Sequence, residues 1–251
     1  MIDSEGAAAG PWAAPRVPAP RPVPTAVRAM ALALVALFAS DVAVVVARAG
    51  DDHHAPVAST VAAPRNAPLT APPVTSALPV ATDLAAALIP PPPGYVEVLA
   101  GVNGAVSTDQ LATFANLGLD AAHLPSGLKG SELEDVHIRA YGHTWANQAQ
   151  GRVLVVIVVE FTNPRYASAA DEGAREAMGK LPAAAPFATS GVPKSYGVGF
   201  DEPAAGAGTV HIRGVFFTKG SRLAVVDLGG LRELPSAEET TGLAKAQYDR
   251  L

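Results

Sequence analysis

Arg152-Val153-Leu154-Val155-Val156-Ile157-Val158-Val159-Glu160-Phe161 is the stretch whose reading decides the fold. Every aliphatic residue between Arg152 and Glu160 except Leu154 is β-branched, which favours an extended backbone, and a strand sends successive side chains to opposite faces. Apolar residues of both parities therefore make this a strand central to a sheet. Just upstream, Val136 to Trp145 reads as a second strand, and the short Gln148-Ala149-Gln150-Gly151 connection makes the two an antiparallel hairpin. Just downstream, Asn163 and Pro164 supply a cap and a first-turn proline for a helix from about Arg165 to Lys180.

The same reading extends in both directions. Towards the C-terminus, Gly191-Val192-Pro193 leads to a short strand near Tyr196 to Phe200. Val210 to Thr218 and Arg222 to Leu228 form a second hairpin across Lys219-Gly220-Ser221. Ser236-Ala237-Glu238-Glu239 has capping-box spacing and opens a terminal helix with Leu243, Ala246, Gln247 and Leu251 near one side. Towards the N-terminus, Ser107-Thr108-Asp109-Gln110 is another capping box, with a helix through about Leu117. Helix, two strands, helix, three strands and helix argue an α+β fold: an antiparallel sheet with helices packed on one face.

Composition divides the chain. Of its 23 prolines, 16 lie in the first 93 residues, so residues 1–28 and 48–93 read as a disordered tail and a Pro/Ala-rich linker, with residues 94–251 as one folded domain. Leu84-Ala85-Ala86-Ala87-Leu88 is expected to form no more than a transient helical turn, ended by Pro90 to Pro93. Between the two proline-rich stretches, Ala29 to Ala47 is apolar except for Ser40 and Asp41. As a helix it would span about 28 Å, enough to cross a bilayer once. Arg16, Arg21 and Arg28 precede it, while Arg48 is followed by Asp51 and Asp52. That asymmetry predicts a single-pass anchor at residues 29–47, with the N-terminus cytoplasmic and the rest extracytoplasmic. The alternative is secretion after signal cleavage near Ala49, where Ala47-Arg48-Ala49 has small-x-small form. With no Cys in the chain, a lipid-modified cysteine is not the anchor.

Few residues combine into chemistry. Without Cys there is neither a thiol nucleophile nor a thiolate metal site, and the chain contains no Gly-x-Ser-x-Gly, phosphate-loop or His-Glu-x-x-His pattern. Residues 94–251 carry 17 acidic and 13 basic residues, a net of −4 with no basic stripe, which argues against a nucleic-acid partner. No metal or cofactor is expected. The one informative constellation is His137, Arg139, Tyr141, His143 and Trp145, which alternate onto one strand face, with His211, Arg213 and Phe217 on a later strand. His137 and His143 would be about 20 Å apart, too far to share a metal ion. Two readings stand: a polar, solvated sheet face, or a binding face of Tyr141, His143, Trp145, His211, Arg213 and Phe217. An enzymatic reading would rest on His143 with Asp227 or Ser221, on residue type alone.

Gly142 and Trp145 before the Val-rich strand ending at Phe161, the Gly191-Val192-Pro193 turn, the Arg213-Gly214 step and the closing Leu243-Ala244…Gln247…Leu251 helix carry a family likeness. Together they resemble exported actinobacterial envelope proteins, among them the PsbP-like mycobacterial lipoproteins and the extracytoplasmic sensor domains of receptor kinases. The missing Cys departs from the lipoproteins, and the absence of a kinase departs from the receptors. The resemblance implies a mostly non-catalytic family with binding roles at the cell envelope and carries over neither partner nor ligand; joined to the apolar run it makes the expected function a membrane-anchored binding or sensor-like module, with an envelope protein or small ligand as partner. A structural subunit of an envelope complex is the alternative, and a hydrolase the more distant one.

Overall fold

The computed structural model describes residues 82–98, 102–112, 133, 138–179, 184–204 and 208–251. The apolar run 29–47, the tail, most of the linker and His137 lie outside the described residues. Among the described residues no helix is long and apolar enough to cross a membrane.

The elements are α1 (Thr82–Ala87), β1 (Val96–Glu97), β2 (Gly104–Val106), a helical turn at 108–112, β3 (Arg139–Asn147) and β4 (Arg152–Glu160). They continue with α2 (Pro164–Met178), β5 (Ala185–Phe187), β6 (Ser195–Ala204), β7 (Gly208–Lys219), β8 (Arg222–Gly230) and α3 (Ala237–Arg250). Among the described residues, eight strands form one antiparallel sheet in the order β1-β3-β4-β8-β7-β6-β5, with β2 also pairing β3. The Val-rich β4 lies between β3 and β8, as its two-sided apolar pattern requires. Both hairpins read from the sequence are present, β3–β4 across residues 148–151 and β7–β8 across Gly220, whose φ of +62° suits a residue without a side chain.

Each sheet face has its own core. Val153, Val155, Ile157 and Val159 of β4 join Ile212 and Phe216 of β7 and the small-residue stripe Ala167, Ala170, Ala174 and Met178 of α2. Leu154, Val156 and Val158 join Val215 and Phe217 of β7, Ala224, Val226 and Leu228 of β8, Ala244 of α3, and Leu84, Leu88 and Ile89 in and after α1. The expectation of helices on one face is therefore corrected: α2 covers one side, and α1 and α3 cover the other. The physical reason is in β4 itself, because its apolar side chains of both parities, Val153 to Val159, are buried and each needs a cover. A fully buried Val or Leu is worth about 1.5 to 3 kcal/mol.

The caps form as their sequences require. Ser107 and Gln110 exchange backbone and side-chain hydrogen bonds, at 3.1 Å from the Gln110 amide to Ser107 Oγ and 2.9 Å from the Ser107 amide to Gln110 Oε1. Ser236 Oγ accepts from the Glu239 amide at 3.0 Å and starts α3. The buried side of α3 is Thr240, Thr241, Ala244 and Gln247, while Ala246, expected on that side, faces solvent.

The boundary at Gly94 is also corrected. Leu84, Leu88 and Ile89 are 0, 3 and 6 % exposed, respectively, in the second core. The folded unit therefore includes at least Thr82 onward. Leu84 and Leu88, four apart on one turn, found an apolar groove to fill, which the alanine-rich context and the following prolines concealed.

Candidate functional site

All six residues singled out from the sequence lie on the sheet face covered by α1 and α3. Following the register across the sheet, Tyr141 lines up with Val158, Ala224 and Phe217. His143 lines up with Val156, Val226 and Val215, and Trp145 with Leu154, Leu228 and Arg213. The β3 and β7 groups are thus in the same rows but three strand spacings apart, about 14 Å. The intervening side chains of β4 and β8 are buried core. The structure places the six on one face without bringing them together. The solvated-face reading fails for the same reason: Trp145 is 4 % exposed and Phe217 fully buried.

On β3 the aromatic side chains stack in series. The Tyr141 and His143 ring centroids lie 5.6 Å apart edge to face, and the His143 and Trp145 centroids lie 5.2 Å apart with near-parallel planes. Trp145 is the buried end of this ladder, and Tyr141 and His143 its partly exposed end. Asn103, in the turn before β2, holds the middle: its Oδ1 accepts from the Thr144 amide at 3.1 Å and lies 3.3 Å from His143 Nδ1, while its Nδ2 donates to the Val98 carbonyl at 2.6 Å. Arg139 at the far end pairs with Glu160, which also accepts from Arg222 Nε at 3.0 Å.

On β7, Arg213 and His211 have separate partners. The Arg213 guanidinium carbon is 4.9 Å from the Phe187 ring centroid, and its Nε is buried without a hydrogen-bond partner. Phe187 lies against Gly197, where any Cβ would come within 2.7 Å of the ring. His211 Nδ1 is 2.8 Å from Asp201 Oδ1 on β6. Phe217 packs against Tyr248 of α3, with centroids 5.6 Å apart.

Asp227 has a different environment. It is 1 % exposed, and its Oδ1 has no hydrogen-bond partner. Its neighbours Val226 and Leu228 belong to the α1/α3 face, so Asp227 projects to the opposite face, beside Gly214 and Phe216. Burial pushes its carboxyl well above the usual carboxylate range. His143 and Asp227 therefore sit on opposite sides of the sheet and cannot share a proton. Among the described residues, no group of three or more His, Asp and Glu could hold a metal ion.

Sequence reasoning missed Asn103, Asp201 and Phe187, and it missed the partners of Gln247. Asp201 was within reach of it: extending the strand near Tyr196 to Phe200 by one residue and pairing it with the next strand puts Asp201 opposite His211. Asn103 carried only the Asn-Gly turn signal, completed by Gly104 at a φ of +107°. Nothing local marks Gln247, whose partners are 158 and 160 residues away.

No family model and no curated protein matches the chain. Among solved structures it is similar to the crystal structure of the extracellular domain of PknH from Mycobacterium tuberculosis, at a TM-score of 0.42 and 10 % identity, covering 67 % of this chain and 94 % of that one. The neighbour is an extracellular domain; at this score and identity the likeness is weak and assigns neither family nor role.

Proposed function

We propose that the chain is a non-catalytic binding module of the bacterial envelope, anchored through residues 29–47, with the N-terminus cytoplasmic and the sheet domain extracytoplasmic. An envelope protein or a small ligand is its partner, and the partly exposed end of the β3 ladder, Tyr141 and His143, is its recognition surface. The observation that carries the reading is the ladder itself. The His143 ring is stacked on a buried indole near the sheet margin and tied to Asn103, with the Tyr141 ring edge-on to it, so the imidazole loses little freedom on binding. The separation of His143 from Asp227 by the thickness of the sheet supports a non-catalytic role, because it removes one of the two pairs, His143 with Asp227, on which a hydrolase would rest.

Two experiments test the two halves of this reading. Protease added to spheroplasts should digest the chain beyond Ala49 and spare the tail; protection of the sheet domain would refute the orientation. A photo-crosslinking phenylalanine analogue at position 141 should form adducts in intact cells. The same group at Ser168, exposed on α2 of the opposite face, should not. Equal yields, or none at 141, would remove the recognition surface.

A further inference from the structure

We propose that residues 82–93 form a strap that opens as a unit and controls access to the Trp145 end of the ladder. The strap is built to depend on its docking. Six residues of helix are too few to hold together alone in water, so α1 is helical because Leu84, Ala87, Leu88 and Ile89 are buried in the core that contains Trp145. It packs against β3 and takes no place in the sheet ladder.

Among the described residues, its side-chain hydrogen bonds come from the last turns of α3, beside one backbone bond at its end from the Tyr95 amide to the Pro92 carbonyl. The fully buried Gln247 uses both ends of its amide on the strap: Nε2 donates to the Ala87 carbonyl at 2.7 Å and Oε1 accepts from the Ile89 amide at 2.9 Å. Arg250 Nη2 donates to the Ala86 carbonyl at 2.9 Å.

The far end of the strap is equally well defined. Pro90 to Pro93 have no N–H to give to a sheet, and Gly94 turns the chain at a φ of +81°. Ladder pairing begins only with Val96 opposite Ala146. Breaking three hydrogen bonds to α3 and withdrawing one apolar row therefore frees 82–93 without disturbing a strand pair, which is the condition for a separately opening unit. What it uncovers is Trp145, the base on which His143 stacks, with Tyr141 edge-on beyond it. That uncovering governs recognition rests on the reading above; that the strap opens does not.

Hydrogen exchange on the full chain tests the opening, and acrylamide quenching of Trp145 in a Trp12→Phe background tests what is uncovered. The Ile89 amide should exchange at least about a hundredfold faster than the amides of Val155 and Val156 in the centre of β4. Gln247→Leu should raise the Ile89 rate by about tenfold more and increase quenching of Trp145, leaving β4 and β8 rates unchanged. Arg250→Ala removes only the exposed tie and should shift both readouts the same way by less, which keeps the test available if Gln247→Leu fails to fold. Exchange of Ile89 in step with β4 in the unsubstituted chain, or acceleration of both together by Arg250→Ala, would overturn the strap. Faster Ile89 exchange with unchanged quenching would overturn its role as a cover. Should the strap open as expected while position 141 gives no crosslinks even with Gln247→Leu, the recognition reading fails and the strap stands.

Discussion

Replacing Asp227 with Asn should make the protein more stable, and by an amount that grows with pH. Asp227 sits in the core between β4 and β7, opposite Val155 and Gly214, with one carboxyl oxygen lacking any partner. Burial raises its carboxyl well above the ordinary range, so the folded protein keeps the proton. In the unfolded chain the same carboxyl ionises above about pH 4. The sign follows: below that pH the group is neutral in both states and costs nothing extra. As pH rises, unfolding is favoured by release of the proton, until the raised native value is reached. In that window the folding equilibrium constant falls about tenfold per pH unit on account of this one group. Asparagine has the same shape and no proton to lose. Urea unfolding of the two proteins at half-unit steps from pH 4 to 8 should give stabilities that lie closest at pH 4 and diverge by up to about tenfold per unit above it, levelling off where the raised native value is reached. Asp171, also raised by burial although Arg175 pulls it down, titrates in both proteins and cancels from the difference. A constant offset between the two curves would refute the reasoning, since it would mean that Asp227 is ionised in the fold or paired there.

Three further outcomes follow from the packing. Trp145→Ala should cost about 3 to 5 kcal/mol in urea unfolding, the price of a buried aromatic cavity, and a change under about 1 kcal/mol would take Trp145 out of the core. Gly214→Ala places a Cβ 2.2 Å from Asp227 Oδ1 and should destabilise by about 1 to 3 kcal/mol; unchanged stability would show that the β7–β8 contact is looser than described. A chain starting at Gly94 should melt below one starting at Val80, which in turn should match one starting at Gly50. Three apolar side chains worth about 1.5 to 3 kcal/mol each leave the core, partly offset by the ordering entropy of the strap. Equal melting of the Gly94 and Val80 chains would show that the strap contributes nothing.

The parts of the fold legible in the sequence were those whose signals are local. A run of β-branched residues, a four-residue connection and Ser-x-x-Glu spacing each act over a few residues, and β4, both hairpins and the start of α3 lie where those signals put them. The very short strands β1, β2 and β5 have no such signal, because two or three residues show no period and their pairing is set by the long strands beside them. The α1 segment was misread for a related reason. Its alanines and the prolines after it suit an extended linker, and only the groove between β3 and α3, built by residues far along the chain, makes Leu84 and Leu88 core residues.

The candidate site shows the same limit from the other side. Alternation put Tyr141, His143 and Trp145 on one face of their strand, and His211, Arg213 and Phe217 on one face of theirs, because strand parity is a local property; that the two are the same sheet face is set by the pairing through β4 and β8. Whether such a face is wet or covered is not local. The polar tips of Arg139, Tyr141 and His143 suggested water, yet β4, the strand paired directly with β3, carries Leu154, Val156 and Val158 on the same side, and those side chains cannot be left in water without losing about 1.5 to 3 kcal/mol each. The seven-residue aliphatic run already demanded two covered faces, so the polar residues of β3 had to be accommodated at the margin of a covered one. They are, with the indole inward, the imidazole and phenol half-buried, and the strap and α3 closing over the rest. A polar strand beside a wholly apolar one therefore reads better as the rim of a buried face than as a solvated surface, and a rim is where rigid aromatic side chains remain within reach of a partner.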